Sequence, residues 1–189
     1  MSPEDAPPPE EARSTTLHSA ISIGLDECLI ALSESFSDLT DQEFWAEAVK
    51  GRHNIVTLVE HCIQGLDLYA CEVQGIPLTF EPDKRFDIGP SSQTPSSPEI
   101  PDLPTVTQVQ GRVAELRQAI MAQLCRTPED ALPTRIADCW WYEDQDDRTR
   151  ADAYMRCIWH TMAHIRQIWL LRGALGCADS GVWPRQHWA

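Results

Sequence analysis

The chain has 189 residues, enough for one domain with a substantial core and too few for two comfortable ones. Its 15 Lys and Arg stand against 29 Asp and Glu, a formal charge of −14, so the surface repels polyanions. Nucleic acid and anionic membranes are therefore disfavoured as partners.

Seven cysteines, Cys28, Cys62, Cys71, Cys125, Cys139, Cys157 and Cys177, form no C-x-x-C pair and lie mostly inside apolar segments. They read as reduced, buried thiols of a cytoplasmic protein and not as a disulfide scaffold. The start, MSPEDAPPPEEARS, lacks a basic segment followed by an apolar one. No later run approaches the roughly 18 apolar residues of a membrane span, so a soluble location is expected.

Residues 1–14 are acidic and Pro-rich, a composition that cannot offset chain entropy by burial, and are expected to form a disordered tail. Residues 15–189 are read as a single domain. Thr15 or Thr16 caps a first helix whose apolar face comprises Leu17, Ala20, Ile21, Leu25, Cys28, Leu29, Leu32 and Phe36, ending near Ser37. Asn54 caps a second helix. Its stripe of Leu58, His61, Gly65, Leu68 and Glu72 lies beside Ile55, Val59, Cys62 and Leu66, which puts His61 on or near the buried side.

Residues 77–104 hold seven prolines and the cluster SSQTPSSP, which excludes regular helix and predicts a long loop wrapped over the surface. A third helix is predicted from Val106, Val109, Val113, Leu116, Ile120 and Leu124, closing before Pro128. The fourth follows the segment CWWYEDQDD, with Asp146 or Asp147 as cap, and stops near Gly173 or Gly176. No strand-like alternation and no repeat period is present, so the fold class is all-α, a four-helix bundle.

The chemistry concentrates on the fourth helix. Cys157, His160, His164, Gln167 and Leu171 share one stripe, flanked by Ile158, Met162, Ile165, Ile168 and Trp169. Two imidazoles at i and i+4 stand roughly 6 Å apart between Cβ atoms, close enough to converge on one ion. Two ligands hold a metal poorly, and His61, on the apolar stripe of another long helix, is the candidate third. His53 precedes the second stripe, His18 opens the first helix and His187 lies near the end of the chain. The alternative is a pair of core histidines whose nitrogens are satisfied by Gln167 or a backbone carbonyl.

Cys157 reads as a core filler in preference to a ligand. Gln167 is either solvated or a hydrogen-bond partner that orients a ligand. Trp140, Trp141 and Tyr142 either line a pocket mouth or pin their loop, and Glu143, Asp144, Asp146 and Asp147 are solvated acids near a helix start.

His61 within NIVTLVEHCIQGLDLY, and His160 and His164 within HTMAHIRQI followed by Gln167 and Ile168, resemble the DinB-like (YfiT-like) superfamily of metal-binding helical bundles. The likeness runs from about Thr15 to Ala189 and includes the ending WPRQHW; the long Pro-rich insertion and the acidic tail depart from a typical member. The resemblance implies an up-and-down bundle of mirror topology, a homodimer, and a divalent ion, zinc or nickel, on His61, His160 and His164. It also implies group transfer or isomerisation with a low-molecular-weight thiol such as bacillithiol, mycothiol or glutathione acting on a small-molecule substrate.

Three neutral imidazoles leave a bound ion its full charge and an open position, the arrangement of a catalytic site. A thiol or water held there becomes nucleophilic near neutral pH. Two other accounts stay open: a hydrolase using water, and a non-catalytic bundle in which the ion only ties helices together. No general base is identified, since Glu60 projects about 100° from His61 along the helix and Glu72 lies three turns on.

Overall fold

The computed structural model describes residues 16–86, 88, 102–136 and 148–177. Several sequence features lie outside these residues: the tail 1–14, half of the Pro-rich loop 77–104 (87 and 89–101), Cys139, the Trp140–Tyr142 aromatics with their acidic neighbours, and His187.

The helices are α1 (Leu17–Glu34), α2 (Asp41–Trp45), α3 (Ile55–Ala70), α4 (Val106–Arg126) and α5 (Arg150–Leu175). No strand occurs among the described residues, where Arg135 and Thr149 form a single isolated bridge. Four of the helices are long and form the bundle expected from the apolar pattern. α3 packs along α5 and α4, and α1 along the same two, so the order around the bundle is α1, α5, α3, α4.

Each long helix begins at a residue whose side chain accepts a free backbone N–H. Thr16 caps α1 by accepting from Ser19, and Asn54 caps α3 by accepting from Thr57. Thr105 with Gln108 forms a capping box on α4, and Thr149 with Asp152 forms one on α5. The cap of α5 is therefore Thr149 and neither Asp146 nor Asp147. Thr149 has a carboxylate three residues on to return the hydrogen bond, the reciprocal arrangement that fixes the start. At the other end Gly176, with φ 70°, adopts the left-handed conformation that lets its N–H reach back to Arg172 and Gly173.

α1 ends at Glu34 and not at Ser37, because the Ser35 hydroxyl donates to the Leu32 carbonyl at 2.7 Å and closes the last turn. Leu17 and Ala20, expected on the apolar face, are exposed, whereas Ile21, Leu25, Cys28, Leu29 and Leu32 are buried. The turn beyond brings Phe36 against Phe44 of α2, with ring centroids 5.2 Å apart. Short α2 was not expected from the pattern, yet Thr40 and Glu43 close a capping box on it. It braces two long helices. Asn54 Nδ2 donates to the Trp45 carbonyl at 2.9 Å, and Val106 N–H donates to Asp41 at 2.8 Å.

The core runs between the four helices. On α4 the buried residues are Val106, Val109, Val113, Leu116, Ile120 and Leu124, as their spacing predicts. On α5 the buried line is Ala153, Tyr154, Cys157, Thr161, Ile165, Ile168 and Arg172, so the histidine stripe is the flank of that helix and not its centre. Arg172 is held in the core by Asp38, at 2.7 and 2.8 Å, and by the Ser35 carbonyl at 3.2 Å. Cys28, Cys62, Cys71 and Cys157 are buried free thiols, while Cys125 is exposed and Cys177 half-buried, against the expectation of general burial.

Leu116 is fully buried on α4, a helix that contributes no histidine to the candidate centre. Leu116→Ala is expected to destabilise the fold by about 2–5 kcal/mol in urea denaturation, with metal affinity of the folded protein unchanged.

Candidate metal centre

α3 and α5 come together closely enough to bring three imidazoles from opposite sides of one groove into contact. His61 Nε2 lies 3.1 Å from His160 Nε2. The ring centroids of His61, His160 and His164 are 4.6 to 4.9 Å apart, and one nitrogen from each ring lies within 4.8 Å of the others. Among the described residues this is the only group of three or more His, Cys, Asp or Glu that could hold a metal ion.

The donor set fits a divalent ion. Bonds of about 2.0–2.1 Å arranged tetrahedrally place neighbouring nitrogens about 3.3 Å apart, close to the separation of the two Nε2 atoms. His164 Nδ1 donates to the Gln167 side-chain oxygen at 2.8 Å, which leaves its Nε2 with a lone pair. His61 makes a hydrogen bond to the Phe86 backbone. Because the Phe86 N–H is engaged by the Asp83 carbonyl, at 3.0 Å, the Phe86 carbonyl is the acceptor. His160 Nδ1, buried, has no hydrogen-bond partner among the described residues.

Gly65, one turn beyond His61 on α3, explains how His160 reaches this position. A Cβ at residue 65 would stand 2.8 Å from His160 Cε1 and 3.0 Å from Nδ1. The imidazole thus lies directly on the backbone of the facing helix. A glycine inside a helix costs about 1 kcal/mol relative to alanine, and the close approach of the ring accounts for it.

A segment after α3 encloses the His61 side of the groove. Asp67 accepts the N–H groups of Thr79 and Phe80 at 3.0 and 2.9 Å, and Gln64 donates to the Asp83 carbonyl at 3.0 Å. With His61 they form a ladder on α3 at positions 61, 64 and 67 that fixes residues 79–86. Phe86, buried beside His61, removes water from that ring.

Burial dominates the electrostatics. Burial, with the neighbouring rings as the next cause, lowers the His61 pKa to about 4 and the His160 pKa to about 3. His164 is lowered too, first by burial, against the raising effect of Gln167. All three rings are therefore neutral at neutral pH, the state in which an imidazole can bind a metal ion. Burial raises the thiols instead: Cys28 to about 12 and Cys157 well above its ordinary value. Cys157 lies on the expected stripe but turns into the core, its sulfur 3.7 Å from the Leu66 carbonyl.

Glu60 points away from the imidazoles, as helix geometry requires, yet it is fully buried and meets Arg112 of α4 at 2.7 Å. Burial raises its pKa to about 7, opposed by that guanidinium. His18 Nε2 lies 2.8 Å from the Leu124 carbonyl at the end of α4, and His53 is half-buried before α3; neither joins the centre. Sequence reasoning placed the histidines and Gln167. It put Gly65 on the stripe of His61 without assigning it a role, although a glycine one turn from His61 was a visible signal, and it passed over Gln64 and Asp67.

The family model described as the DinB superfamily matches residues 25–168, a span containing all three histidines. No curated protein matches the chain.

Gly65→Ala is expected to push the His160 ring aside and weaken zinc binding by tenfold or more, while thermal stability of the metal-free protein stays the same or rises, since alanine favours helix. Competitive titration against a chromogenic chelator measures the first and circular dichroism the second. The depressed imidazole pKa values also set a pH dependence. Folded rings hold fewer protons than unfolded ones below about pH 6.5, so acidification through that window favours unfolding and later metal release. Zinc affinity is expected to change less than about threefold between pH 7.5 and 6.0; three ordinary imidazoles of pKa about 6.5 would weaken it about 50-fold over the same interval.

Proposed function

Because the chain belongs to the DinB superfamily, we propose that it is a metal-dependent enzyme that activates a low-molecular-weight thiol for group transfer or isomerisation of a small-molecule substrate. The observation that carries this reading is the meeting of three neutral imidazoles at one point, with His61 Nε2 and His160 Nε2 only 3.1 Å apart. A divalent ion bound there, zinc or nickel by family likeness, supplies the Lewis acidity that makes a thiol nucleophilic and polarises an electrophile.

The chain's own residues prepare the site. Burial keeps the rings unprotonated, and Gln167 and the Phe86 carbonyl turn His164 and His61 inward. Three neutral donors leave room for a further ligand, as in open catalytic sites. The buried thiols of Cys28 and Cys157, with their raised pKa values, stay protonated and do not compete with an incoming thiol. The acidic chain, at −14, suits a small substrate better than a polyanion. No helix among the described residues is long and apolar enough to cross a membrane.

Untagged protein, purified without a nickel column, is expected to hold close to one divalent ion per chain. His160→Ala or His164→Ala empties the site and leaves the helix content intact. Incubation with an electrophile and bacillithiol, mycothiol or glutathione is expected to yield thiol adduct that disappears with chelator. Turnover without thiol would favour a hydrolase, and chelator-induced melting without turnover would favour a structural ion. Full metal occupancy in the double histidine variant contradicts the assignment.

A further inference from the structure

Asp67 lies nearly two turns beyond His61 on α3 and is only 2% exposed. One of its oxygens accepts the Thr79 N–H at 3.0 Å and the other the Phe80 N–H at 2.9 Å. Six residues span about 9 Å of helix, and Asp67 is not one of the candidate ligands. The segment it holds nevertheless returns to the His61 ring. The Asp83 carbonyl accepts from Gln64 and from the Phe86 N–H, each at 3.0 Å, and the Phe86 carbonyl accepts from His61.

The choice of side chain matters. Burying a carboxylate is costly unless it is well bonded, and a neutral side chain could hold a loop by one N–H. A carboxylate takes two successive N–H groups on separate oxygens, with bonds roughly twice as strong as neutral ones. Two adjacent amides held together fix the direction of the backbone as well as its place. The Phe80 ring is held from the other side by Arg112 of α4, whose guanidinium carbon lies 4.9 Å from the ring centroid and which pairs with Glu60 at 2.7 Å. Only Glu81 and Pro82 then separate Phe80 from Asp83, and proline has a fixed φ. The grip at residues 79 and 80 is thereby passed on to the Phe86 carbonyl.

That carbonyl decides where His61 carries its proton. His61 Nε2 faces His160 Nε2 at 3.1 Å, so the nitrogen that donates to Phe86 is Nδ1. The hydrogen bond made by one ring nitrogen selects the tautomer and leaves the other with a free lone pair. With the carbonyl displaced, a neutral His61 can place its proton on Nε2 instead, where it blocks a metal.

We infer that Asp67 is a positioning residue: by holding residues 79 and 80 it keeps the Phe86 carbonyl on His61 Nδ1 and the lone pair of His61 Nε2 aimed into the metal centre. The consequence for metal affinity rests on the proposed centre, whereas the tautomer is a property of the metal-free protein.

Asp67→Asn tests this, because it replaces one accepting oxygen by an NH2 group facing an N–H. In metal-free, 15N-labelled full-length protein, long-range nitrogen–proton correlation spectra are expected to show His61 as the Nδ1–H tautomer, with the signals assigned by their loss in His61→Ala. Asp67→Asn is expected to show a mixture of tautomers and about tenfold weaker zinc binding, the lower end of the loss that follows removal of a partner behind a ligand. Leu116→Ala, destabilised without touching the segment, keeps the natural tautomer and the natural affinity of the folded protein. Asp67→Ser, which keeps one acceptor, replaces Asp67→Asn if the latter does not fold, with a smaller loss in the same direction. Coupling is reciprocal, so zinc is also expected to slow hydrogen exchange of the Thr79 and Phe80 amides in the natural protein by a similar factor. An unchanged tautomer or unchanged zinc affinity in the folded Asp67 variant overturns the inference, as do an equal loss of affinity in Leu116→Ala and exchange at residues 79 and 80 that is indifferent to zinc. A natural protein that binds no zinc refutes the metal reading instead. The tautomer of His61 then decides alone: its loss in the Asp67 variant upholds the positioning role and its persistence overturns it.

Discussion

The close approach of α3 and α5 at Gly65 is the contact on which the centre depends. Only a residue without Cβ lets the His160 ring lie on the backbone of the facing helix. From there its Nε2 meets that of His61, while His164 comes in from the next turn of α5. The same closeness removes water from all three rings and holds them neutral, because charging an imidazole there would cost its hydration. Geometry and protonation state thus have one cause.

The surrounding fold keeps that arrangement rigid. Capping boxes on α4 and α5, and Asn54 at the head of α3, fix where the helices begin and so the register in which they meet. Asn54 also ties α3 to α2, and Asp41 ties α2 to the start of α4. Asp67, Gln64 and His61 hold residues 79–86 along α3 and so cover one side of the groove with backbone and Phe86. Imidazoles carried on packed helices and oriented by Gln167 and the Phe86 carbonyl have little freedom to drift, which is what a precise metal-ligand set would require.

Much of this was legible in the chain. The six apolar residues of α4 announce their burial through spacing alone, and the histidines of α5 announce a shared face. His61 could be paired with them because it lies on the apolar stripe of another long helix. What was hidden depends on contacts between distant segments. Gln64 and Asp67 bind backbone 12 to 19 residues away, and no periodicity encodes a loop's return. Glu60 was rightly excluded from the centre by its angle, but its burial against Arg112 depends on where α4 packs. Asp146 and Asp147 resembled a helix start as closely as Thr149 did. The carboxylate of Asp152, returning the hydrogen bond, distinguishes the residue that caps α5.

The central claim is that His61, His160 and His164 together ligate one ion, and X-ray absorption spectroscopy of zinc-loaded, untagged protein tests it most directly. The account requires three imidazole nitrogens at about 2.0–2.1 Å with the outer-ring scattering of histidine, and no sulfur from the protein. A sulfur shell at about 2.3 Å in protein free of added thiol, or a fit satisfied by fewer than three imidazoles, would contradict it.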